Sequence, residues 1–198
     1  MTKVFSADFV RQGGDFPASA GILLGAGLGG LFDGIVVRQI LQWHHMLSSA
    51  GYPSDTLHNL RINTLWDGVF HAATFVFIVV GLAVLWRHAH RRHMWWSTRL
   101  LVGTVLIGFG ACNLVEGVLD HHLLGLHHVN ETVPRSEWIY WDLAFLLWGL
   151  AMFVAGWWLQ HTAHENVPFG DWRRKRADAD TEPLLPSRAT TGPSTYES

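Results

Sequence analysis

Four apolar runs, each about long enough to cross a bilayer, constrain this chain more than any other feature. A span needs about 20 predominantly apolar residues in a helix. The first run extends from about Ala20 to Met46, the second from Leu65 to Trp86, the third from near Ser97 to His128, and the fourth from Trp138 to Leu159. Inside lipid every backbone N–H and C=O needs an internal partner, so spans of this kind are expected to be helical. Only 15% of the residues are charged, against roughly 25% in soluble domains. The eleven Trp fit the same setting, because an indole at a membrane interface keeps its N–H near water. The expected fold is all-α, an integral membrane four-helix bundle with the lipid bilayer as its first partner.

The predicted organisation is a polar N-terminal segment over 1–17, a transmembrane domain over 18–160 built from hairpins 18–86 and 97–160, and a tail over 161–198. The N-terminal segment carries Asp8, Arg11 and Asp15 and has no apolar core of the kind a cleavable signal requires. The tail is rich in Pro, Ser, Thr and charge, a composition that buries too little surface to offset its ordering entropy, and it is expected to be disordered. Basic residues set the orientation. Arg87, Arg91, Arg92 and Arg99 follow the second span, and Arg173, Arg174, Lys175 and Arg176 follow the fourth, whereas the other two loops hold only Arg61 and Arg135. The positive-inside rule then makes both termini cytoplasmic and turns loops 47–64 and 129–137 outward.

One cysteine, Cys112, excludes an intrachain disulfide framework and a Cys-rich metal site. A formal charge of −2 gives no basic surface for nucleic acid. Thirteen His are the compositional anomaly, and their positions repeat. Shifting the sequence by 83 lays Asp33-Gly34 over Glu116-Gly117 and His44-His45 over His127-His128; a shift of 75 lays Trp66-Asp67 over Trp141-Asp142. Two copies of one helical hairpin are the economical reading. Both copies begin on the same side, so their axis is expected near the membrane normal.

If the spans are continuous α-helices, the 11 residues from Asp33 to His44 and from Glu116 to His127 are about three turns, which places acid and histidine on one face some 16 Å apart. Asp67 and His71 share a face of the second helix. The expectation is a polar funnel, open outward, into which Asp67, His71, Glu116, Asp120, His121 and both His-His pairs converge.

Carboxylates facing lipid are costly, so Asp33, Glu116 and Asp120 must face one another, water or a cation. Neutral imidazole with carboxylate suits a transition metal such as copper, zinc or iron. The candidate ligands are His44, His45, Asp67, His71, Glu116, Asp120, His121, His127 and His128, with His122 a weaker one. Asp33, Arg38 and Asp142 stand apart as a proton relay or a structural ion pair. The alternatives to a metal site are a proton or ion pathway and a metal-independent assembly scaffold. Interfacial histidines that merely mark helix ends are the plainest reading of the His-His pairs. His88, His90, His93, His161 and His164 lie in basic segments without matched carboxylates and are expected to be solvated.

The strings Phe32-Asp-Gly-Ile, Gln39-Ile-Leu-Gln-Trp-His-His-Met46, Asn63-Thr-Leu-Trp-Asp-Gly-Val-Phe-His71 and Asn113-Leu-Val-Glu-Gly-Val-Leu-Asp-His-His-Leu-Leu-Gly-Leu-His-His128 resemble one family over Gly21 to about Gln160. It is the bacterial membrane-protein family called domain of unknown function 2243. The resemblance implies a multi-pass protein of the bacterial cytoplasmic (inner) membrane. It leaves the activity open. Members are often encoded near a copper-related cytochrome c oxidase assembly factor, which implies copper handling and a respiratory oxidase or its assembly factors as partners. Arg38 departs from the family pattern, where a histidine is expected, and so bears on the first half of any symmetric site.

Overall fold

The computed structural model describes residues 16–91 and 97–165. The expectations for most of the N-terminal segment, for His93 and for the tail beyond 165 lie outside the described residues. Four long helices form within one compact unit ending at His164; the second unit, Glu165–Ser198, is described only at Glu165. Helix α1 is Ala18–Phe32 and continues as a π-helix over Asp33–Ile40. Helix α2 is Leu57–Arg91. Helix α3 is Thr98–Glu116 and continues as a π-helix over Gly117–Leu123. A 3₁₀ turn at Arg135–Glu137 leads into α4, Trp138–Glu165.

Each of the four is long and apolar enough to cross a membrane. Their outer surfaces expose Phe75, Val76, Leu82, Leu147, Val154 and Trp157. Contiguous apolar surface of this kind is rare on soluble monomers, and lipid accounts for it. The inner surfaces are built instead from small residues, with Ala20, Gly21, Gly25, Gly29 and Gly30 buried on α1 and Gly103, Thr104, Gly108 and Gly110 on α3.

Small residues let helix backbones touch, which in lipid supplies the packing that the hydrophobic effect cannot. A Cβ at Gly25 would lie 2.0 Å from the Val105 carbonyl oxygen, and one at Gly108 would lie 2.0 Å from that of Ile22. Helices α1 and α3 therefore cross in contact at the bundle centre. Gly27 packs in the same way on Thr74 and Ile78 of α2, and Gly110 on Gly149 and Phe153 of α4. These partners correspond at the offsets of 83 and 75 read from the sequence, with 22 and 25 going to 105 and 108, and 74 and 78 to 149 and 153.

The helix ends differ from expectation in a way that decides the site. The first and third helices do not run to Met46 and His128; they stop at Ile40 and Leu123. Each widens to five-residue hydrogen bonding before ending, with Leu41 N–H donating to Val36 O at 2.9 Å and Leu124 N–H to Leu119 O at 2.8 Å. The chain then reverses through left-handed residues, Gln42 at φ 53° and Gly125 at φ 58°. Helix α2 starts eight residues before the expected Leu65, at Leu57, and α4 continues to Glu165 rather than ending near 160.

Candidate metal centre

The two reversals fold His44-His45 and His127-His128 back over the ends of α1 and α3. His44 Nε2 comes to 3.8 Å from Asp33 Oδ2, and His127 Nε2 to 3.9 Å from Glu116 Oε1. The expected helical separation of about 16 Å is thus wrong, because it assumed α-helix throughout the 11-residue spacing. Acids and histidines form one packed layer in place of a long funnel.

The His44 and His127 rings stack with centroids 4.3 Å apart and planes within 6°. Each is anchored by the opposite loop: His44 Nδ1–H donates to Val129 O at 2.9 Å, and His127 Nδ1–H to Met46 O at 3.2 Å. A carbonyl only accepts, so the proton sits on Nδ1 and a neutral ring keeps its Nε2 lone pair. His45 and His128 are held by carboxylates instead. His45 Nδ1 lies 2.8 Å from Asp67 Oδ2 while Met46 N–H donates to Oδ1 at 3.0 Å; His128 Nδ1 lies 2.6 Å from Asp142 Oδ2 while Val129 N–H donates to Oδ1 at 2.9 Å.

Two differences between the halves fall beside the buried acids. Arg38 corresponds to His121, and Val37 to Asp120, at the 83-residue offset. Arg38 is fully buried and its guanidinium spans three carboxylates: Asp33 at 2.7 Å, Asp67 at 3.6 Å and Glu116 in a short contact. It also donates to Met46 Sδ at 3.0 Å and lies over the Phe70 ring at 4.3 Å. His121 has no such reach; its Nδ1 is 3.5 Å from Asp142 Oδ1, and its ring lies 4.9 Å from that of His127.

Buried acids outnumber buried permanent cations here. Among the described residues Asp33, Asp67, Glu116 and Asp142 are buried and Asp120 is half-buried, against the single buried Arg38. Arg38 is shared among Asp33, Asp67 and Glu116, and the rings of His45 and His128 hydrogen-bond Asp67 and Asp142. One guanidinium cannot neutralise them all, and Glu116 and Asp120 have ligand atoms that lie within 4.8 Å of one another and of His127. Glu116 Oε2, His127 Nε2, His44 Nε2 and both ring nitrogens of His121 are buried without hydrogen-bond partners. Burial, with His44, Arg38 and His121 adding to it, holds the His127 imidazole well below the usual histidine range. At neutral pH its ring is therefore neutral.

The family model described as Predicted membrane protein (DUF2243) matches residues 20–163. The chain belongs to this family. No curated protein and no solved structure matches it. It is a multi-pass membrane protein, and the DUF2243 match reaches into all four helices and includes every residue of the cluster.

Within this DUF2243 chain, the structure gathers Asp33, Arg38, His44, His45, Asp67, Glu116, Asp120, His121, His127, His128 and Asp142 at one end of the bundle. His71 packs against Gly34 and the Phe70 ring, with Nε2 buried and unpartnered. Its counterpart at the 75-residue offset is Leu146, which packs on Gly117. His122, the next residue along the π-helix from the buried His121, is exposed. His88 and His90 are exposed, each bonded to a carbonyl one turn back.

Sequence reasoning missed the residues that hold the loops. Asn63 is buried, accepts from Leu47 N–H at 2.8 Å and donates to Tyr52 O at 2.7 Å. Glu131 accepts from His128 N–H at 3.0 Å and from Ser49 Oγ at 2.6 Å. Glu131 and Glu137 are the only acids in loop 129–137, which was the available signal.

Proposed function

We propose that this membrane protein binds a divalent transition metal through Glu116, Asp120 and His127, with His44 and His121 close enough to complete the coordination. The observation that carries the reading is a pair of carboxylates, Glu116 sharing the single Arg38 guanidinium with two other acids, beside an imidazole whose Nδ1–H is already committed to Met46 O. A metal-ligating histidine usually donates its other ring nitrogen to a carbonyl or carboxylate, which fixes its tautomer and aim. Two oxygens and one nitrogen favour zinc or iron(II) over cuprous copper, which selects soft sulfur. The nearby thioether, Met46 Sδ, is engaged by Arg38.

We further read the bundle as a duplicated hairpin about an axis between the stacked His44 and His127 rings. The reciprocal glycine contacts and the crossed histidine-to-carbonyl bonds support it. The basic segments after α2 and α4 support placing this end of the bundle outward and both termini inside.

The test is metal binding by the purified chain in detergent micelles, stripped with a chelator and titrated with zinc or cobalt(II). One ion per chain is expected, with at least roughly tenfold weaker binding in Glu116→Gln and Asp120→Asn and no change in His122→Ala. A stripped, folded chain that rebinds neither ion would overturn the assignment.

A further inference from the structure

Above the cluster lies an open cleft of about 310 Å³ whose walls include Gln42, His44, His45, Ser54, Asp55 and Glu131. It shares His44 and His45 with the cluster. His44 faces the cleft, and its ring is stacked on His127, the proposed ligand. Beside Trp43 and Pro53 the lining is polar, and its two acids, Asp55 and Glu131, make it attractive to cations.

Gln42 supplies an independent observation. It is the only non-glycine residue with positive φ among the described residues, at 53°, whereas the corresponding reversal at the 83-residue offset uses Gly125 at 58°. A side chain in this conformation meets a steric penalty that glycine escapes. The backbone need is the same in both loops, so the fold alone gives no reason for glutamine. What distinguishes position 42 is that its exposed amide side chain lines the cleft. Strained backbone kept at one place in a fold is a pointer to function.

We infer that this cleft is the entrance through which a hydrated divalent cation reaches Glu116, Asp120 and His127, with Glu131, Asp55, His45 and the Gln42 amide as its first station. His45 suits the role because Asp67 holds its Nδ1, which leaves Nε2 for a passing ion. Glu131 suits it because its carboxylate is fixed by Ser49 and the His128 amide at the rim. His44 then separates station from site. This inference rests on the metal reading above.

The experiment is stopped-flow mixing of the stripped full-length chain in micelles with cobalt(II), followed by its visible absorption, together with equilibrium titration. An entrance sets rates and leaves the equilibrium alone. Ser54→Trp, which fills the cleft, is expected to slow association and dissociation alike, roughly tenfold, with Kd unchanged. Glu131→Gln removes the attracting charge while keeping its acceptor oxygen, and is expected to slow association several-fold. Gln42→Gly is expected to slow association while the chain unfolds no more easily than the wild type. Should the Trp variant not fold, Glu131→Gln decides.

Wild-type rates in both Ser54→Trp and Glu131→Gln would remove the entrance and leave the metal site standing. Weaker equilibrium binding with faster dissociation in Ser54→Trp would make the cleft itself the final site and overturn the inference. A wild-type chain that takes up no cobalt removes the metal reading and the entrance with it.

Discussion

Replacing Arg38 by Met tests whether the cluster is held by charge. The guanidinium is buried with Asp33 at 2.7 Å, Asp67 at 3.6 Å and Glu116 in short contact. Met keeps much of the apolar stem and removes the charge. Two unit charges about 4 Å apart interact by about 4 kcal/mol at an effective dielectric of 20, and removing one partner of a buried pair typically costs about 3–5 kcal/mol. Arg38→Met should therefore lose about 3–5 kcal/mol of unfolding free energy in the metal-free chain. Arg38→Lys should lose distinctly less, because it keeps the charge and forfeits only the planar fork that reaches several carboxylates at once. A divalent ion at 100 times its Kd should return about 2.7 kcal/mol to Arg38→Met, since Asp33 and Glu116 are then free to take it. The assay is reversible unfolding in mixed micelles, followed by the fluorescence of the eleven tryptophans. A loss under about 1 kcal/mol, the scale of a typical surface pair, would refute the argument. So would a lysine variant as damaged as the methionine one, which would make the guanidinium's shape, not its charge, the important property.

Two further outcomes follow from the packing and the protonation of the cluster. Gly25→Ala and Gly108→Ala should destabilise the bundle by similar amounts, roughly 1–3 kcal/mol each, because either Cβ would lie 2.0 Å from a carbonyl oxygen of the facing helix; equal unfolding midpoints for wild type and both variants would contradict the contact. His127 is held below its ordinary pKa by burial, so below about pH 6.5 the unfolded chain binds a proton that the folded metal-free chain refuses. Stability should then fall as pH drops below about 6.5, by up to about 1.4 kcal/mol per pH unit from this group. His127→Gln should flatten that slope, and an unchanged slope in the variant would assign the proton elsewhere.

The sequence by itself determined the four helices, their apolar outer faces and the matched acids and histidines at offsets of 83 and 75. These are linear properties: span length follows from the bilayer's thickness, and a duplicated pattern survives in the chain order. It also marked Asp33 and Arg38 as a possible ion pair, because five residues separate them. What it misjudged was the route of the chain. Periodicity assumes four-residue hydrogen bonding, and the switch to five-residue bonding at Asp33 and Gly117, followed by reversal at Gln42 and Gly125, brings His44 and His127 back to the acids from which a straight helix would have carried them away. The charge balance was equally out of reach. Arg38 meets Glu116 across 78 residues and His44 meets the Val129 carbonyl across 85, and which carboxylate is neutralised depends on those distant partners. Only the tertiary structure sets the Arg38 guanidinium among Asp33, Asp67 and Glu116 and brings Glu116 and Asp120 beside His127.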